Sequence, residues 1–78
     1  MDLNRLQWQH NLRALALKGL TRFPTLPMWL EGQTAEATSQ YYLDQGELER
    51  YEQWCNYLKA ALFQGIALKD YEEWKLQD

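Results

Sequence analysis

No valine occurs in these 78 residues, and isoleucine occurs once, at Ile66. Strands draw on β-branched side chains, which pack well on a pleated surface, so this chain has little from which to build a sheet. Its apolar material comes instead from fourteen Leu and eleven aromatic residues. At 46 % hydrophobic residues, it also has too much to bury to remain a disordered tail. These features predict an all-α fold: a compact bundle of about four helices plus one short helical turn, without a sheet, in a single domain spanning 1–78.

A chain of this size buries less than about two thirds of its unfolded surface, and small cores lean on staples or partners. The single cysteine, Cys55, permits neither an internal disulfide nor a multi-cysteine zinc site. Dense aromatic packing or self-association must supply the rest. No basic amino-terminal stretch precedes an apolar run of signal length. The longest uncharged run, 60–68, contains Gly65 and is too short to span a bilayer. A cytoplasmic protein is expected, and a lone cysteine agrees with a reducing compartment.

Glycines and prolines divide the chain. The spacing predicts a helix over 3–18, capped by Asp2 and closed by Gly19. A connector with Pro24 leads to a short turn over 27–31, with Pro27 at its first position. A second helix over 34–43 starts from Thr34. A third runs over 45–64, with Asp44 and Glu47 read as a capping box and Gly65 ending it, Ile66 making the closing apolar contact. A fourth covers 68–77. In the third helix, Leu48, Tyr51, Cys55, Leu58 and Leu62 form one apolar stripe, widened by Trp54 and Ala61. Core positions expected overall are Leu12, Leu15, Leu43, Leu48, Tyr51, Trp54, Cys55, Leu58 and Leu62. The spacing Leu-x-x-Tyr-x-x-Trp recurs at 48–54 and 68–74 and reads as an aromatic ridge rather than a repeat unit, because repeat folds need three or more stacked copies.

Little of this chemistry supports catalysis. His10 and Cys55 fall on different helices, whereas zinc needs three or four ligands and a Cys–His nucleophile needs adjacency. Cys55 sits within the apolar stripe, where a thiol keeps its proton. Glu49 with Glu52, and Asp70 with Glu73, are pairs three apart without the Glu-x-x-His partners of carboxylate metal bundles, and read as solvated charge. No glycine-rich phosphate loop is present. The chain is therefore read as non-enzymatic, with no catalytic residue, metal or cofactor.

Charge is uneven. Residues 1–32 carry four basic and two acidic side chains, and residues 33–78 carry four and nine. The rival to protein binding is a helix-turn-helix nucleic-acid regulator built on 34–43, a corner at 44–46 and the next helix. The opening of that recognition helix, Glu47-Leu48-Glu49-Arg50-Tyr51-Glu52, places three acids where phosphates would lie, so nucleic acid is a poor partner.

The first helix shows where a partner would sit. At 100° per residue, Trp8, Leu12, Leu15 and Ala16 make one apolar face. Leu6 and Leu17, with His10 and Leu3 beside them, make a second about 160° away. A surface helix needs one such stripe. Either this helix is central and wrapped on both sides, or Leu3, Leu6, His10 and Leu17 meet another chain. Trp29, in a turn expected to be exposed, is a candidate anchor beside them. The expected function is an accessory or regulatory protein-interaction module, its partner another protein or a second copy of itself, and no membrane.

Overall fold

Asp2 opens the first helix by accepting a hydrogen bond from the Arg5 amide at 3.1 Å, and α1 runs Leu3–Leu17. The computed structural model describes residues 2–76. Four further helices follow: α2 Leu26–Leu30, α3 Ala35–Asp44, α4 Leu48–Gln64 and α5 Tyr71–Lys75. No strand occurs among the described residues. The fold is thus an all-α globule, as the shortage of β-branched residues requires.

Helix bounds agree with the sequence to within a few residues at most ends. Thr34 caps α3 by accepting from the Ala37 amide at 3.1 Å. The start of α4 differs. Gly46 has φ +75°, outside the right-handed helix, and the Glu47 amide closes α3 by donating to the Tyr42 carbonyl at 2.8 Å. The expected helix over 45–64 therefore begins at Leu48, and Glu47 makes no side-chain cap. The Asp44–Glu47 capping box is absent. Asp44 instead accepts from the Gln40 side-chain amide at 2.9 Å. A capping box does form, at Asp70 and Glu73, and it shortens the last helix to start at Tyr71. Gln77, the expected end of that helix, lies outside the described residues.

The interior is aromatic. Trp8 of α1 stacks on Trp54 of α4 with ring centroids 6.5 Å apart. Tyr51, Trp54 and Tyr71 form a chain of ring contacts at 5.8 and 6.0 Å, and Tyr42 stacks on Tyr51 at 5.1 Å. Leu12, Phe23, Leu58 and Leu68 complete the core. The second Leu-x-x-Tyr-x-x-Trp differs in local structure from the first, since Leu68 precedes the α5 cap while Leu48 opens α4. What the two share is the ring cluster, which is the aromatic ridge expected.

The polar tips of these rings hold the connectors. The Trp8 indole donates to the Pro24 carbonyl at 3.0 Å, and the Tyr51 hydroxyl to the Phe23 carbonyl at 2.6 Å. The Trp54 indole donates to the Lys69 carbonyl at 3.0 Å. Each bond satisfies an aromatic donor and an irregular-backbone acceptor at once, as burial demands. Buried Asp70 ties the two connectors together by accepting from the Leu26 amide at 2.8 Å. No buried side-chain nitrogen or oxygen among the described residues lacks a partner.

Of the nine expected core positions, Leu12, Tyr51, Trp54, Cys55 and Leu58 are buried, and Leu15, Leu48 and Leu62 pack half-buried against them. Leu43 is the correction: it is 52 % exposed. α3 turns Thr38, Ser39 and Tyr42 inward. Stacking of Tyr42 on Tyr51 fixes that rotation and carries the adjacent Leu43 outward. Thr38 can be buried because its hydroxyl donates to the Thr34 carbonyl one turn back, at 2.8 Å.

Candidate interaction surface

α1 is not wrapped on both sides. Its inner face, Trp8, Leu12 and Ala16, is buried. Its outer face, Leu3, Leu6, His10 and Leu17, is exposed along the whole helix. At helical spacing Leu6, His10 and Leu17 lie on one stripe, with Leu3 at its amino-terminal end. His10 is exposed. Trp29 does not join this surface: it sits half-buried on α2 and packs against the core, where its large ring has more area to remove from water than in an exposed turn.

Phe63, which sequence reasoning passed over, and Ile66, which was expected to make the closing apolar contact of its helix, extend the apolar surface. Phe63 is 66 % exposed and Ile66 53 %, at the carboxyl-terminal end of α4. Phe63 follows Lys59 by one turn, on the polar side of the wheel, and a phenylalanine there is the signal that would have marked it. Ile66 closes α4 through its backbone, its amide donating to the Ala61 carbonyl at 3.0 Å, but its side chain stays in solvent.

Trp8 of α1 lies against Trp54 of α4, and residues from the carboxyl-terminal parts of both helices line one surface depression. This depression, of about 170 Å³, is lined by Arg13, Ala16 and Leu17 of α1 and by Leu62 and Phe63 of α4. A neighbouring depression of about 300 Å³ shares Arg13 and Leu62 and continues to Gln9, Ile66 and Leu68. Leu17, 76 % exposed, stands at the edge of the first.

Ion pairs tie α5 to α1 and to the start of α4. Arg5 donates to Glu73, and Lys75 lies 2.7 Å from Glu47, which also accepts from the Tyr71 hydroxyl at 3.0 Å. These bonds to cations and a phenol hold both glutamates below their ordinary values. Burial pushes Asp70 up, partly offset by the Leu26 amide bond, so it is not the solvated charge expected of that pair. Glu49 and Glu52 are exposed, and Glu52 lies 3.6 Å from Arg22.

Burial pushes the Cys55 thiol up, which keeps it protonated and unreactive. Among the described residues, no three His, Cys, Asp or Glu side chains group to hold a metal ion. Among the described residues, no helix is long and apolar enough to cross a membrane. No family model, no curated protein and no solved structure matches the chain.

Proposed function

We propose that this protein is a non-enzymatic interaction module that binds another protein through the outer face of α1, continued by Phe63 and Ile66. The observation that carries the reading is a helix with two apolar faces, only one of which the fold uses. Leu3, Leu6 and Leu17 stay in water although the core beneath α1 is closed by Trp8, Leu12 and Ala16. A surface rich in exposed large apolar side chains marks an interaction site more often than chance. Self-association through the same face is one form the partner can take, and light scattering distinguishes it.

The test is the double variant Leu6→Asp, Leu17→Asp, compared with wild type in light scattering, affinity capture and thermal melting. An association present in wild type and lost in a variant of unchanged melting temperature supports the module. Unfolding of the variant with no association to lose contradicts it.

The second reading, a helix-turn-helix regulator, draws on the α3 to α4 corner, where Gly46 makes the tight turn. Against it stand exposed Glu49 and Glu52 at the start of α4, which repel phosphate. A gel shift with random duplex at low salt is expected to show no retardation. Salt-sensitive retardation would favour this reading instead.

A further inference from the structure

We propose that the two adjoining depressions between α1 and α4 receive the apolar side chains of an acidic amphipathic helix on a partner protein. This rests on the interaction reading above and adds the partner's chemistry. Shape gives the first argument. The depressions, about 170 and about 300 Å³, are at or below the small end for small-molecule sites. They lie side by side along α1 from Gln9 to Leu17, a rise of about 12 Å, or roughly two turns of a partner helix. Side chains at i and i+4 on such a helix, about 6 Å apart, suit two neighbouring hollows.

Charge gives the second argument. The residues that line the hollows include one base, Arg13, and no Asp or Glu, in a chain of net charge -3. Arg13 stands between the hollows, one turn before Leu17, and Lys59 stands one turn before Phe63. Among the described residues neither forms an ion pair. An apolar helix seated here places its flanks beside two cations that lack counter-ions, and carboxylates on those flanks supply them.

The same charges disfavour the other occupants. A two-fold dimer sets one surface against its own copy, and here it would bring like charges together. An anionic membrane gains only about 1 kcal/mol per basic residue near its surface, and two rim cations give little. A membrane also presents no side chains to fill a hollow.

The probe is a fluorescein-labelled peptide of roughly 18 residues, long enough for several helical turns, with Leu at i, i+4 and i+7 and Glu elsewhere. Two controls keep the leucines with Lys for Glu, or scramble the order. Anisotropy with the intact wild-type protein is expected to show the acidic peptide binding at least tenfold tighter than either control, with affinity falling as salt rises. Arg13→Glu with Lys59→Glu, both exposed and checked for unchanged circular dichroism, is expected to reverse the preference toward the Lys peptide. The proposal is overturned if the acidic peptide does not bind, if it binds no better than the controls, or if charge reversal leaves the preference unchanged. Co-sedimentation of wild type with phosphatidylserine vesicles but not neutral ones, without peptide binding, also overturns it, in favour of a membrane. If capture still depends on Leu6 and Leu17 while the peptides are not discriminated, the partner's chemistry fails and the interaction reading stands. If capture is also indifferent to those leucines, both fail.

Discussion

The Tyr51 hydroxyl donates to the Phe23 carbonyl, in a connector with no helix to satisfy it, and also meets the Ser39 and Cys55 side chains. Tyr51→Phe keeps the ring and leaves that buried carbonyl with only the weak Cys55 thiol as donor, which costs about 1–2 kcal/mol. Tyr57 supplies a natural comparison, since its hydroxyl donates to the Ala67 carbonyl at 3.2 Å in an exposed position. There water replaces the lost partner, and Tyr57→Phe is expected to cost less than about 0.5 kcal/mol. Urea unfolding of the two variants checks the contrast, and equal losses would mean that burial is not what gives the Tyr51 bond its weight. Single residues were the hardest scale to read from sequence. The α4 stripe announced Tyr51, Cys55 and Leu58 through its period. Phe23 lies in a connector and carries no period, while Leu68 and Tyr71 were marked only by the recurring Leu-x-x-Tyr-x-x-Trp spacing, and the ring cluster explains their burial. Leu43 went astray because hydrophobicity ranks it with the core, whereas the stacking of its neighbour Tyr42 decides which way α3 faces.

At the scale of elements, punctuation was legible and caps were partly so. Glycine and threonine marked ends that the structure keeps, but the capping box read at Asp44 and Glu47 is absent and one forms instead at Asp70 and Glu73, a pair read as solvated charge. Gly46 settles the matter: φ +75° cannot continue a helix. A Cβ there meets nothing within 4 Å, so Gly46→Ala is expected to cost only the left-handed penalty, about 1–2 kcal/mol, with Gly46→Asn milder. A denaturant midpoint unchanged by Gly46→Ala would contradict the corner. α5, only five residues long, depends on its tethers: Glu73 to Arg5 and Lys75 to Glu47. Both glutamates titrate below their ordinary values when folded, so their stabilisation is complete above about pH 4.5 and is lost as pH falls through the folded values. Asp70 titrates higher when folded and acts in the opposite sense, favouring the fold as it gains its proton. With two groups against one, melting temperature is expected to fall between pH 5 and pH 3. Glu73→Gln flattens that slope while lowering the plateau at pH 7, and a slope identical to wild type would show that the α5 tether does not matter.

For the whole molecule, the fold class followed from what the chain lacks, because a sequence with no valine and one isoleucine has little alternative to helices. The candidate surface was half legible. The two apolar faces of α1 were readable from spacing alone, and the structure buries one and exposes the other. Phe63, Ile66 and Arg13 could not be assigned to that surface from sequence, because it forms only when the ends of α1 and α4 come together, some forty-five residues apart in the chain. The central claim is that the aromatic core holds the fold while this surface contributes nothing to it. Thermal melting of Leu17→Gln with Phe63→Gln tests that claim most directly, since glutamine keeps helix propensity and adds no charge. Surface changes of this kind are worth within about 0.5 kcal/mol each, and about 1 kcal/mol shifts a domain of this size by roughly 4–8 °C. The melting temperature is expected to stay within about 8 °C of wild type, and a larger fall would place these residues among those that hold the fold.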